Sequence, residues 1–212
     1  EVGYIYAYKA GWPVSVAQIV QAASYMQTHS KPYALVVRKG TFGEYKLQKS
    51  SNVSDACPMS REEAIQLVVD QLGPDDIVVS TTGMISRELF EYREAKLQGH
   101  QQDFLTVGSM GHASQIALGI ALQKPEKRVF CFDGDGAMLM HLGAMAIVGQ
   151  YNPQNMVHIV FNNSAHDSVG GQPTVGQHID VIQIAKAVGY RKVTSVETRE
   201  DLIATLVKLC NE

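Results

Sequence analysis

The chain has 212 residues, 45% of them hydrophobic and 18% charged, with a net charge of −3 at pH 7. That is enough apolar material for one large domain and part of another. Interspersed acidic and basic residues leave no basic stripe for nucleic acid and no polybasic segment for a membrane surface, and no apolar run approaches the ~18 residues that a membrane-spanning helix needs. Cys57, Cys131 and Cys210 lie far apart without any Cys-x-x-Cys spacing. This argues against a disulfide framework or zinc site and, with no basic-then-apolar leader pattern at the N-terminus, for a cytoplasmic location.

In chain order, residues 13–29 place Val16, Ile19, Val20, Ala23 and Met26 on one helical face, and 32–37 follows as a strand closed by Arg38-Lys39-Gly40. One helix and one strand do not make a domain, so residues 1–44 are expected to be a remnant of a second α/β domain. Residues 45–59 are polar and read as a linker. At Ser60-Arg61-Glu62-Glu63 the chain restarts with the spacing of a capping box, opening a helix that ends near Gly73-Pro74. From there βα units alternate: strands over 77–81, 105–107, 129–132, 157–161 and 192–196, helices near 84–97, 112–123, 137–150, 179–188 and 198–210. The expected fold of residues 60–212 is therefore α/β and doubly wound, a mostly parallel sheet with helices on both faces.

In such sheets ligands sit beyond the carboxyl ends of the strands, where Thr81-Thr82-Gly83, Gly108-Ser109-Met110-Gly111, Gly134-Asp135-Gly136 and Asn162-Asn163 all fall. The glycines of Gly134-Asp135-Gly136 let main-chain N–H groups approach an anion, and Asp135 offers a carboxylate to a hard cation that would bridge a diphosphate. As part of a strand-end loop, Asp135 is expected to lie outside the packed core. Residues 137–161 leave room for a helix, a turn at Tyr151-Asn152-Pro153 and a strand that delivers Asn162-Asn163 beside Asp135. A serine nucleophile elbow does not fit Gly108-Ser109-Met110-Gly111, because Val107 stands where a glycine is required. A dinucleotide fingerprint fails at Leu139, where the third glycine belongs. Met110 suits either a wedge under a cofactor ring or a core gap. His166-Asp167 also occurs in metal phosphohydrolases, but His141 and His178 do not complete a ligand set; His166 reads equally as a hydrogen-bonded loop residue.

Taken together, these four strand-end motifs resemble the diphosphate-binding half of thiamine diphosphate-dependent 2-oxo acid decarboxylases, from about residue 60 to the C-terminus. The string His166-Asp167-Ser168-Val169-Gly170-Gly171-Gln172-Pro173-Thr174 is similar to the segment after the metal site in phosphonopyruvate decarboxylases and, less closely, sulfopyruvate decarboxylases. The resemblance implies thiamine diphosphate and Mg²⁺ as cofactors. Asp135, Asn163 and the Ala165 carbonyl would ligate Mg²⁺, while Gly134, Gly136, Ala137 and Met138 line the diphosphate. Thr82 and Gly83 would contact the phosphates from the other side. Gly108 would accept from the cofactor's aminopyrimidine, Ser109 and Met110 would lie against the cofactor with Met110 as its wedge, and Asn162 would be structural support.

His166 is counted among the cofactor contacts and is the single catalytic candidate in this chain. The substrate implied is 3-phosphonopyruvate, converted to phosphonoacetaldehyde and CO₂, with sulfopyruvate or another 2-oxo acid as the alternative. The activating Glu would come from a pyrimidine-binding domain, of which residues 1–44 would be the C-terminal remnant, supplied by the full-length protein or a partner chain in a homo-oligomer. Only Glu1 and Glu44 precede the linker, so the chain by itself is expected to be inactive. A module that binds a phosphorylated ligand without chemistry is the reading from another class.

Overall fold

The computed structural model describes residues 4–6, 16–36 and 58–211. They fall into two units, Glu1–Gln48 and Lys49–Glu212. In the first, strand β1 (Tyr4–Tyr6) pairs in parallel with β2 (Ala34–Val36), and helix α1 (Val16–His29) connects them. Of the apolar face expected on α1, Ile19, Val20 and Met26 are exposed. The strand β1 was not among the expected elements, although Tyr4-Ile5-Tyr6 are residues that favour strands. Most of the polar stretch over 45–59 lies outside the described residues.

The second unit is built around four parallel strands in the order β4-β3-β5-β6. Here β3 is Ile77–Ser80, β4 Asp103–Leu105, β5 Val129–Gly134 and β6 Met156–Phe161. Helices α2 (Arg61–Val69), α3 (Met84–Ala95) and α4 (Ala113–Gln123) precede or link these strands. Between β5 and β6 run α5 (Asp135–Met140) and α6 (Ala144–Tyr151), and α7 (Val181–Ala187) and α8 (Arg199–Asn211) close the chain. The N-cap of α2 is formed, with Ser60 Oγ accepting from Glu63 N at 3.1 Å, while the Glu63 carboxylate accepts from Arg199 Nη1 at 2.7 Å.

Period-two alternation along the central strands decides which helices cover which face. Val78, Phe130 and Phe132 point to one side and pack with Ile65, Val68 and Val69 of α2, Leu89 of α3 and Leu202 and Leu206 of α8. Val79, Val129 and Cys131 point to the other and meet Ala113, Ala117 and Ala121 of α4. The small residues of α4 let its backbone lie close to the sheet. Both faces are covered, which is why β5 is buried along nearly its whole length and why its Val129–Phe132 portion reads as an unbroken apolar run.

Three expectations shift. The strand expected over 105–107 is Asp103–Leu105, in register with Val78–Ser80. Arg93 holds Asp103 there through a fork of 3.1 and 3.0 Å, and Val107 is left exposed. The helix expected over 137–150 is two, broken around His141-Leu142-Gly143, where Ala144 N to His141 O at 2.8 Å and Met145 N to Leu142 O at 3.1 Å tighten the chain into three-residue bonds. The strand expected over 192–196 does not form. Val193 and Val196 pack against two different apolar clusters, so the segment is pinned by side chains without a ladder.

Candidate functional site

The loops after β3, β4, β5 and β6 meet at one rim. Gly108 N donates to Thr82 Oγ1 at 3.2 Å, joining the loop after β4 to the loop after β3. Gly83, at φ 106°, turns where a Cβ would lie 3.1 Å from Ser168 Oγ, so only glycine suits both the backbone and the approach of the 166–174 segment. A Cβ on Gly136 would collide with the His166 ring. That segment is a small hairpin the sequence did not announce: Ala165 pairs with Pro173 and His166 with Gln172, as β7 (Ala165–His166) and β8 (Gln172–Pro173), around a short 3₁₀ turn at Asp167–Val169. It folds the string back over Gly134-Asp135-Gly136.

Asp135, expected in an open loop outside the core, is 2% exposed. The correction has a simple cause. Helix α5 starts at Asp135 itself, and Thr174 from the hairpin closes over it, its hydroxyl donating to Asp135 Oδ2. Thr174 Oγ1 in turn accepts from Gly176 N at 3.0 Å. None of the ion pairs among the described residues includes Asp135, so a carboxylate is buried there with a hydroxyl for company.

Asn162 braces the loop: its Nδ2 donates to Gly176 O at 3.0 Å and its Oδ1 accepts from Ser164 N and Oγ, both at 3.1 Å. Asn163 Oδ1 accepts from Ala165 N at 3.2 Å, and its Nδ2 donates to Asp167 Oδ2 at 2.7 Å. Ala137 is buried, and the Met138 side chain is turned into the cluster of Met145 and Ala185, leaving only main chain to the rim at that position. Met110 is half-buried, between exposed Ser109 at φ 47° and buried Gly111 at φ 86°.

Two sets of residues at the site had no signal in the sequence. Beneath the Gly134-Asp135-Gly136 turn, buried Asp133 accepts from Gly134 N at 3.0 Å and lies 3.4 Å from His158 Nε2, whose Nδ1 is 2.9 Å from Tyr190 Oη. Cys131, paired with His158 across β5 and β6, lies alongside. Burial pushes up both the Cys131 thiol and the Tyr190 phenol, with Asp133 adding to each. Both ring nitrogens of His158 and both oxygens of Asp133 are thus engaged, which makes the set a hydrogen-bonded brace under the turn. The second set is Arg61 and Glu88, which reach the rim from α2 and α3.

The donor chemistry fits a hard dication and an anion. Asp135 carboxylate, Asn163 amide oxygen and Ala165 carbonyl are all oxygens, the set Mg²⁺ takes. Buried Thr81 Oγ1, at the end of β3, has no hydrogen-bond partner. Such a group is normally satisfied in a native site.

Residues 81–212 match the family described as thiamine pyrophosphate enzyme, C-terminal TPP binding domain. A phosphonopyruvate decarboxylase of Streptomyces hygroscopicus is 42% identical over 153 residues, 72% of this chain and 36% of that protein. The chain therefore spans well under half the length of that relative. The sulfopyruvate decarboxylase subunit beta of Methanocaldococcus jannaschii is 36% identical over 66% of this chain and 72% of its own length. Among solved structures, a thiamine diphosphate-dependent 4-hydroxybenzoylformate decarboxylase from Rhodococcus jostii superposes with a TM-score of 0.60 at 20% identity, over 82% of this chain and 34% of that one, a likeness of fold. With the oxygen donors, the glycine turns and the matched residues in agreement, the chain belongs to the thiamine pyrophosphate enzymes and carries their C-terminal cofactor-binding domain, whose cofactor is thiamine diphosphate with Mg²⁺.

Proposed function

We propose that the chain is the diphosphate- and metal-binding part of a decarboxylase that converts 3-phosphonopyruvate to phosphonoacetaldehyde and CO₂. The observation that carries this reading is the 165–174 hairpin, whose Thr174 and His166 close onto Asp135 and Gly136. The 42% identity to a phosphonopyruvate decarboxylase supports the substrate. Sulfopyruvate is the second candidate, because the sulfopyruvate relative is matched over most of its length as a separate subunit. In the bound state the cofactor supplies an electron sink for loss of CO₂ from a 2-oxo acid.

The chain's own residues do the holding. Asp135, Asn163 and the Ala165 carbonyl take the Mg²⁺, and the main chain at Gly134, Gly136, Ala137 and Met138 lines the diphosphate, with Thr82 and Gly83 opposite. The Gly108 carbonyl would accept from the aminopyrimidine, with Ser109 and Met110 lying against the cofactor and Met110 as its support. His166, whose ring stands beside Gly136, is the one candidate for acid–base help within this chain. The activating carboxylate belongs to a pyrimidine-binding domain of the full-length protein or a partner chain, and the assembly is a homo-oligomer. Residues 1–212 alone then decarboxylate at background rate, since general acid–base help of this kind is worth on the order of 10²- to 10⁴-fold.

The test is a coupled assay for phosphonoacetaldehyde, run with 3-phosphonopyruvate and with sulfopyruvate, on this chain alone and with a pyrimidine-binding domain added. Turnover of phosphonopyruvate only in the completed enzyme is expected. Robust turnover by residues 1–212 alone would place the activating group inside this chain, and preference for sulfopyruvate would reassign the substrate.

A further inference from the structure

Arg61 is the first residue of α2 and lies outside the stretch matched to the family. Its guanidinium forks onto Glu88, Nε to Oε2 at 2.9 Å and Nη2 to Oε1 at 2.7 Å, and its Nη1 reaches across to Asp167 Oδ2 at 2.7 Å. The same Asp167 oxygen accepts from Asn163 Nδ2 at 2.7 Å. The Arg61 and Glu88 side chains are only 16% and 11% exposed. The fork geometry holds best in such a setting, and Glu88 keeps the guanidinium firmly charged against the opposing effect of burial. Asp167, by contrast, stands on the hairpin turn with its side chain 39% exposed. Without Arg61 little fixes its direction.

An asparagine amide has two ends of nearly equal shape and opposite chemistry. An ionised carboxylate only accepts, so Asp167 admits Asn163 in one orientation: Nδ2 toward Asp167. Oδ1 is then the end that takes Ala165 N–H, and an amide oxygen has a second lone pair left over. If the amide turned over, an NH₂ group would face both the Ala165 N–H and any cation.

We propose that Arg61, clamped by Glu88, is a positioning residue for the metal site, holding Asp167 so that the Asn163 amide is locked with its oxygen available to Mg²⁺. This rests on the reading of Asn163 as a metal ligand. The device ties the metal site to α2 and α3, so the affinity for Mg²⁺ depends on a helix that offers no ligand itself. Arg61 has no role as a substrate-anion reader in this arrangement, because both sides of its fork are already occupied by carboxylates.

The test is isothermal titration of thiamine diphosphate into the chain at stepped Mg²⁺ concentrations, for wild type, Arg61→Gln, Asp167→Ala and the double variant, with thermal melts of each in the absence of ligands. Loss of a partner that orients a metal ligand typically costs 10- to 100-fold in metal affinity, so the half-saturating Mg²⁺ concentration should rise by about that factor in both single variants. The double variant should be no worse than the weaker-binding single, because both act on one chain of contacts. Asp167→Ala touches no core side chain, and its melting temperature should stay within about 2 °C of wild type. Arg61→Lys, with a point charge in place of a fork, should fall between wild type and Arg61→Gln.

Mg²⁺-dependent binding by wild type with unchanged half-saturation in Asp167→Ala overturns the clamp and leaves the cofactor site standing, and then any loss in Arg61→Gln is a loss of fold. Absence of any Mg²⁺-dependent heat in wild type removes the cofactor site itself, and the clamp with it.

Discussion

Asp135 gives the sharpest prediction, because its burial and its role pull in opposite directions. The carboxylate is 2% exposed and its recorded partner is the Thr174 hydroxyl. Burying a charge without an opposite charge is unfavourable. Asp135→Asn keeps the shape and still offers an oxygen to Thr174. Relief of an incompletely compensated buried group is worth about 1–3 kcal/mol. For a chain of this size, ~1 kcal/mol moves the melting temperature by about 2–4 °C. The ligand-free variant should therefore melt about 2–12 °C above wild type.

With Mg²⁺ and thiamine diphosphate the gap should close or invert. A ligand at a hundred times its Kd stabilises the folded state by about 2.7 kcal/mol. Wild type should gain that increment and Asp135→Asn should gain nothing, because an amide in place of the carboxylate removes the charged ligand. Melts followed by circular dichroism, with and without both ligands, read the two effects in one experiment. A ligand-free variant that melts below wild type refutes the account of strain at Asp135. An equal ligand-induced rise in both proteins removes Asp135 from the metal site.

Three further outcomes are expected. Met110→Ala in the completed enzyme should lower kcat more than it weakens cofactor binding, since the diphosphate anchor is untouched while the geometry it serves is loosened; equal effects on both would make Met110 a packing residue. Gly136→Ala drives a methyl into the His166 ring and should cost about 1–3 kcal/mol of stability together with most of the cofactor affinity, read by melting and titration. The Tyr190 phenol is raised above its usual value of 10, first by burial, so its contribution to stability is complete below pH 10 and is lost as pH rises further. Tyr190→Phe should accordingly flatten the fall in stability above pH 10 in pH-dependent urea melts, and an unchanged alkaline limb would show that this phenol does not report on folding.

The parts of this molecule that the sequence made readable are those in which one residue's chemistry suffices. The run from Val129 through Phe132 announces a strand buried on both faces, since apolar residues at every position leave no face for water, and the structure packs alternate members into two different clusters. The Ser60 cap is local, and so are the glycines at the rim, whose reason is the lack of a Cβ. What stayed hidden depends on pairs of residues far apart in the chain. Arg61 and Asp167 are separated by 106 positions, and neither is unusual where it stands: one opens a helix, the other follows a histidine in a loop. His158 sits in a strand of apolar residues, where its only sign was its own polarity; its meaning comes from register, which sets it opposite Cys131 and within reach of Asp133.

The burial of Asp135 was misjudged for a related reason. A strand-end loop is open by default, and closure here is supplied by Thr174, which the chain brings back only after the 165–173 hairpin has formed. The antiparallel pairing of that hairpin is two residues long on each side, below the length at which alternation can be read, and Gly170-Gly171 set its turn with φ values of 121° and 72°. A segment legible as a family string was therefore illegible as a structure. It is around this segment that Asn163, the proposed ligand, its partner Asp167 and the closing Thr174 come together, so the sequence named the cofactor more readily than the means by which the chain would hold it.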